Sequence, residues 1–391
     1  MRRIASFGTL LFGIAALAVV PAAAGPSILF DAGTGQVIES DNPFQRWYPA
    51  SLTKLMTTYV AFRAVQTGEV SLASPVRISK AAAMQPPSKM GYKPGSILTL
   101  DNALKIIMVK SANDVAAAIG DSLGGSQAGF AARMNAEAKR LGMTGSNWVN
   151  AHGLHDDNQY TTARDLAILA SALRRDFPQY ASYFSIEGLS AGGKAIPSTN
   201  TLIGRFDGAD GMKTGYTCPS GFNLVASATR DGRTVIAVVV GATSVASRAE
   251  ETAALLARGF AVTTDFGPTL GTLQPTGATH DKATNMYDQL CSKGARAAIQ
   301  KKEKERLAKD QDEDSAAAEK SVYLKDLKRP RQLVTVSLGG ATGPVPRAVA
   351  AAFAEEDNAG VPLPTWRPDR PLPPGAEPVV MQGDSAAIGQ F

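Results

Sequence analysis

Two pairs of short apolar runs enclose a middle whose apolar positions recur at helical spacing. Ser27 to Phe30 and Gln36 to Ser40 predict an N-terminal hairpin. Phe222 to Ala228 and Val235 to Val240, joined through Asp231-Gly232, predict a second one. Between them, Leu55, Met56, Tyr59, Val60 and Phe62 predict a buried helix ending near Gly68. Leu104 to Val109 and Val115 to Ile119 predict two helical segments with a break at Ser111-Ala112-Asn113, and Ser247 to Phe260 predicts a closing helix. Strands at both ends of a helical middle imply an α+β fold: one antiparallel sheet flanked by helices, with a site between sheet and helical part.

The pattern changes at both ends of the chain. Arg2 and Arg3 precede an apolar segment, Leu10 to Val20, which is followed by Ala22-Ala23-Ala24. This is the three-part pattern of a secretory signal peptide over 1–24, with a mature start near Gly25 and a periplasmic destination. Beyond Gly267, Lys301 to Lys309 and Asp310 to Asp314 form opposite charge blocks, Ala316 to Lys328 is weakly helical at best, and Pro344 to Pro378 is rich in Pro and Ala. The reading is therefore a domain over 25–262 and a largely disordered tail over 263–391, with room for one solvated helix. The net charge of +5 falls to +3 without Arg2 and Arg3, and no basic cluster interleaves with aromatics, which excludes nucleic acid as a partner. Cys218 and Cys291 are compatible with one disulfide in an oxidising compartment, although the sequence leaves their pairing open. With three histidines and no CxxC or CxxH spacing, no metal or other cofactor is expected. His152, His155 and Asp156 are better read as loop-positioning residues than as ligands.

Three short motifs, in order and on compatible elements, carry candidate chemistry. In Ser51-Leu52-Thr53-Lys54 the serine and lysine lie three apart at a helix start, on one face, so Lys54 can take the Ser51 proton. The helix N-terminus is expected to depress the lysine pKa and to offer N–H groups to an oxyanion. In Ser111-Ala112-Asn113, a second hydroxyl at a helix break can relay a proton between Lys54 and a leaving group, and the Asn113 carboxamide can hold both the lysine and a substrate amide. Helix capping is the competing reading of Asn113 and Asp114. Lys213-Thr214-Gly215 lies on or beside a strand, where Lys213 attracts a substrate carboxylate, Thr214 orients it and Gly215 lets a peptide approach. The backbone N–H groups of Ser51 and Tyr216 would form the oxyanion hole.

Together with Asn150-Ala151-His152-Gly153-Leu154 and Thr162-Ala163-Arg164-Asp165-Leu166-Ala167, these motifs resemble the D-alanyl-D-alanine carboxypeptidases, low-molecular-mass penicillin-binding proteins of the SxxK serine peptidase group. The resemblance runs from about Pro26 to about Phe260. It implies a penicillin-binding protein/β-lactamase-like fold, acylation of Ser51 by the penultimate D-alanine of a peptidoglycan stem peptide, release of the terminal D-alanine, and covalent capture of β-lactams by the same serine. Arg248 resembles a family arginine near the substrate carboxylate. Many of these proteins carry a C-terminal amphipathic membrane helix; Met381 to Phe391 shows no such face, so membrane association stays open. The same machinery serves endopeptidases that cut cross-links. A class A β-lactamase would need a Glu-x-x-Leu-Asn base, which Glu187-Gly188-Leu189-Ser190 does not match. A wall-binding scaffold is disfavoured by the intact set of Ser51, Lys54, Ser111, Asn113 and Lys213.

Overall fold

The computed structural model describes residues 25–262, 267–275, 281–309, 321–345 and 350. The signal-peptide reading of 1–24 lies outside them, as does the sequence from 351 to the end. The chain divides into two compact units at Val349/Ala350, and every described residue but one belongs to the first.

In chain order the elements are β1 (Ser27–Asp31), β2 (Val37–Asp41), α1 (Thr53–Gln66), β3 (Pro75–Arg77), α2 (Lys80–Ala83), β4 (Ile97–Thr99), α3 (Leu100–Val109), α4 (Asn113–Gly124), α5 (Gln127–Leu141) and α6 (Ala163–Asp176). There follow β5 (Gly188–Ala191), β6 (Lys194–Pro197), β7 (Ala209–Thr217), β8 (Gly221–Arg230), β9 (Arg233–Ala242), α7 (Val245–Ala261), α8 (Tyr287–Leu290), α9 (Lys293–Lys309) and β10 (Leu333–Val336). The main sheet has the order β2-β1-β9-β8-β7, all antiparallel. Its N-terminal hairpin therefore joins the later one through β1 and β9, as the pattern at the two ends of the domain anticipates.

The apolar runs of the central strands are continuous because both sheet faces are covered. Side chains alternate across a strand, so each run splits between two cores. Ile28, Phe30, Val225, Ile236, Val238 and Val240 pack with α1 and α6 residues such as Leu55, Leu166 and Leu173. Leu29, Leu224, Ala226, Val235, Ala237 and Val239 pack with Ala249, Ala253 and Leu256 of α7. The helix α1 is buried on nearly every side, with 11 of its 14 residues in the core, which is why its sequence shows little amphipathic contrast.

The packed body continues past the boundary expected at residue 262. Leu270 N–H donates to Gly35 O, Thr284 N–H to Arg46 O and Met286 N–H to Pro219 O. Cys218 and Cys291 form a disulfide, which resolves the pairing that the sequence left open. Farther on, β10 pairs in parallel with β5, Arg329 forms an ion pair with Glu187, and Ser74 Oγ donates to Pro344 O. The segment at β10 is a four-residue run next to Pro330 and charged neighbours, too short to stand out as a strand until β5 supplies its partner.

Closing a loop of 73 residues, the disulfide removes denatured-state entropy worth on the order of 4 kcal/mol. Cys291→Ser is therefore expected to lower the unfolding free energy by a few kcal/mol in urea titration. A loss below about 0.5 kcal/mol would mean that this link does not constrain the unfolded chain.

Candidate active site

A short 3-10 turn, Ala50–Leu52, places Ser51 immediately ahead of α1, and Lys54 stands one helical turn on. Burial at the core end of α1 leaves the lysine with no solvent exposure, so its amine must find all its partners within the protein. Lys54 Nζ has three: Ser51 Oγ at 3.1 Å, Asn113 Oδ1 at 2.8 Å and the His152 carbonyl at 2.5 Å. Asn113 is held in that orientation because its Nδ2 donates to Pro86 O. The Asn113 and His152 oxygens can only accept, so they take two N–H bonds. In a neutral amine this directs the remaining lone pair at the Ser51 hydroxyl, which then donates to Lys54.

Burial pushes Lys54 well below the usual lysine pKa, and the nearby Lys213 charge pushes it the same way, while Asp114 opposes both. Desolvation is the largest cause and the second lysine the next. Lys213, on β7, is itself brought down to about 7, first by burial and then by Arg248. Its Nζ donates to Ser111 Oγ at 3.0 Å and to Thr214 O at 2.8 Å. Ser111 thus bonds Lys213, not Lys54. It lies at the break between α3 and α4 with φ of 62°, a left-handed conformation that costs a non-glycine residue about 1–3 kcal/mol.

A cleft of about 550 Å³ opens over these groups. Ser51, Ser111, Asn113, Thr214, Gly215, Tyr216 and Arg248 line it, together with Lys110, Thr199 and Phe222. Seven of the nine candidate residues therefore share one wall. Lys54 and Lys213 are buried behind these residues, and the Lys213 amine reaches the cleft lining through Ser111. Two cations line the cleft, Lys110 and Arg248; the Arg248 Nε has no hydrogen-bond partner, and burial lowers its pKa to about 10. No carboxylate lines the cleft among the described residues, so its field favours an anion.

Gly215 lines the cleft and is also packed closely against the Ser51 turn. A Cβ there would come 3.0 Å from Pro49 O and 3.2 Å from Ser51 N, wedging β7 away from the nucleophile turn. Gly153, with φ of 86°, is more tightly placed, since a Cβ would overlap Ala50 O. Tyr216 is 44% exposed and stacks on Phe222 at 4.2 Å, forming one rim. His152 is held neutral by burial, with its pKa near 3, and its Nδ1 accepts from Leu154 N–H, which agrees with a loop-positioning place. Among the described residues no group of three or more His, Cys, Asp or Glu is arranged to hold a metal.

Sequence reading missed three contributors. Thr199 Oγ1 accepts from Thr214 Oγ1 at 2.8 Å, and nothing around Thr199 marks it. The His152 carbonyl has no side-chain signature. Asp114 accepts from the backbone N–H groups of Met90 and Gly91, pinning the loop from Pro86 beside Asn113, which pairs that residue with tertiary structure as well as with its own helix start.

A family model described as D-alanyl-D-alanine carboxypeptidase matches residues 15–244. The D-alanyl-D-alanine carboxypeptidase DacC of Escherichia coli is 36% identical over 240 residues, 60% of each chain. The DacA protein of Haemophilus influenzae is 34% identical over 239 residues, 60% of this chain and 61% of that one. The chain thus spans about 60% of the length of these curated relatives. Penicillin binding protein 5 from Haemophilus influenzae superposes with a TM-score of 0.58 at 34% identity, over 60% of this chain and 70% of that one. An ampicillin-bound penicillin-binding protein D2 from Listeria monocytogenes gives 0.54 at 29% identity, over 61% and 99%.

Because Lys213 lowers the Lys54 pKa and Asp114 raises it, removing each charge should move Lys54 in opposite directions. With Lys213→Met the acid limb of the rate at which an active ester acylates Ser51 is expected to shift to higher pH. With Asp114→Asn it should shift to lower pH. Limbs that stay in place in both variants would remove Lys54 as the titrating base.

Proposed function

The chain belongs to the D-alanyl-D-alanine carboxypeptidase family, and on that premise we propose that it is a serine peptidase that removes the terminal D-alanine from peptidoglycan stem peptides. The observation that carries this reading is the Lys54 amine, buried and held by acceptor-only partners so that its free lone pair faces Ser51. In the proposed reaction Lys54 takes the Ser51 proton as Oγ attacks the penultimate D-alanine carbonyl. The N–H groups of Ser51 and Tyr216 hold the oxyanion. Ser111, bonded to Lys213, passes its proton to the departing amine as the C–N bond breaks, and Ser111 Oγ regains a proton from the Lys54 ammonium, which leaves Lys54 neutral. Water then attacks the Ser51 ester with Lys54 again as base, releasing the shortened peptide.

The leaving D-alanine carries a carboxylate, and Arg248 with Thr214 is the cationic, hydroxyl-bearing wall suited to it. Lys213 acts through Ser111 and through its charge on Lys54. β-Lactams fit the same wall with a carboxylate and a strained amide, but their leaving nitrogen stays tethered to the acyl group. Glu187, the nearest sequence candidate for a lactamase base, is taken up by Arg329 and the Gln332 N–H, and does not line the cleft. We therefore assign β-lactams as slowly released inhibitors. The catalytic unit we assign runs over residues 25–262, with later segments braced against it. The leader pattern in 1–24 and the Cys218–Cys291 disulfide support a periplasmic enzyme exported across the inner membrane.

Mass spectrometry of the mature protein with a D-Ala-D-Ala-terminated pentapeptide should show loss of one alanine, and with penicillin a long-lived adduct on Ser51. Ser51→Ala is expected to abolish both. Lys54→Ala should lower acylation on the order of a thousandfold, about 4 kcal/mol of barrier. Retained turnover in either variant would overturn the assignment, and rapid penicillin hydrolysis would favour a β-lactamase.

A further inference from the structure

The Lys54 amine meets Ser51 on its own helix and Asn113 at the start of α4, but its third partner, the His152 carbonyl, comes from the loop between α5 and α6. A backbone carbonyl is aimed only by the chain that carries it. An irregular segment must therefore be pinned if its carbonyl is to accept the same N–H of an amine in every molecule. Two buried polar side chains outside the cleft lining, Thr57 and Gln159, do the pinning.

Thr57 stands three residues after Lys54 on α1, on the same helix face. Its hydroxyl has one proton to give. The Ala151 carbonyl takes it at 2.7 Å, much nearer than Thr53 O of the same helix at 3.4 Å. Successive carbonyls of the loop, Ala151 and His152, therefore dock on Thr57 and Lys54 of one helix. Gln159 holds the other side of the loop. Its Oε1 accepts from the Val149 and Asn150 N–H groups, each at 2.9 Å, and its Nε2 donates to Asn150 Oδ1 at 3.2 Å. Asn150 in turn accepts from Gly153 N–H at 2.7 Å and donates to Leu154 O at 3.1 Å, which closes the loop around His152. The Gln159 Nε2 also lies 3.4 Å from Thr53 Oγ1, whose own proton goes to the carbonyl of Ala50, the residue before Ser51. Loop and nucleophile turn thus share one hydrogen-bonded frame.

We propose that Thr57 and Gln159 are positioning residues for acylation: they hold the loop so that the His152 carbonyl accepts one N–H of the Lys54 amine and the lone pair stays on Ser51. The inference rests on the serine peptidase reading above. A carbonyl acceptor also favours the ammonium over the neutral amine, so a loop that drifts away has two effects. The lone pair loses its fixed direction, which slows proton transfer from Ser51. Lys54 also titrates at lower pH, and the acid limb of acylation moves down with it. The charged groups that face Lys54 are Lys213 from β7 and Asp114 from α4, while the His152 ring beside it is neutral. Uncharged substitutions at 57 and 159 alter none of these. A change in stability alone would move neither the limb nor the Lys54 titration.

The test follows acylation of Ser51 by an active ester across pH in the full chain, beside an NMR titration of the Lys54 Nζ. Thr57→Val is expected to lower the plateau rate by about tenfold to a hundredfold. The acid limb and the Lys54 titration should both fall by about one pH unit. Thr57→Ser, which keeps the hydroxyl, should restore both, and Gln159→Met should move both in the same direction through the other anchor. Thr57→Ala removes the same hydroxyl and takes the place of Thr57→Val if that variant does not fold. A rate and a limb that stay at the level of the unaltered chain, or a Thr57→Ser chain as impaired as Thr57→Val, would overturn the positioning role. A Lys54 titration that falls in the variants, while the unaltered chain is not acylated at Ser51, would overturn the peptidase reading and still support the placing of the carbonyl.

Discussion

Two lysines buried side by side constrain the rest of this structure. Lys54 and Lys213 are 0% and 1% exposed, and each raises the cost of charging the other or is charged against a further buried cation. Such groups persist in a core only where every polar atom is matched. The matching explains features that otherwise look unrelated: an Asn113 carboxamide fixed by Pro86, a left-handed Ser111 between two helices, a carbonyl from the His152 loop, and a glycine at 215 that lets β7 lie against the turn of Ser51. The strain at Ser111 and the burial of two amines are stabilising for no part of the fold. They are offset by the double-sided packing of the central strands.

That packing also sets how rigidly the cleft is held. Its back wall is β7, edge strand of a sheet whose neighbours are covered on both faces, and its floor is the start of a helix embedded in the core. The opposite rim is a loop held by the Asp114 carboxylate, which takes the Met90 and Gly91 N–H groups, by Asn113, which bonds Pro86 O and Ser88 O, and by Ser88 Oγ on Lys110 O. Segments after residue 262 brace the outside: the disulfide ties Cys291 beside Tyr216, and the chain beyond β10 closes a second cavity, which shares Lys110 with the cleft. Reactive groups are thus placed by the core, and the outer surroundings by the later chain.

The legible parts of this site are those whose geometry is local. Ser51 and Lys54 meet because they are one helical turn apart, and the pairing of Phe222 to Ala228 with Val235 to Val240 follows from a two-residue turn. The α+β fold followed from strands at both ends of a helical middle, since β1 can complete the sheet only beside β9. What could not be read depends on contacts across long separations. Thr199 meets Thr214, and the Lys54 amine meets a carbonyl 98 residues away, with no residue pattern to announce either. Lys213 reaches Ser111 across 102 residues, and Arg248, itself buried, lines the cleft from α7. Leu333 to Val336 looked like part of a polar tail because a four-residue strand carries almost no pattern of its own.

The claim on which the account turns is that burial keeps the Lys54 amine neutral and ready to accept a proton. Titration of lysine Nζ and Cε resonances by NMR, with Lys54→Met identifying the signal, tests it directly. The account predicts one resonance, lost in that variant, that titrates well below the usual lysine range. A Lys54 signal that titrates near 10.5 with the surface lysines would contradict it.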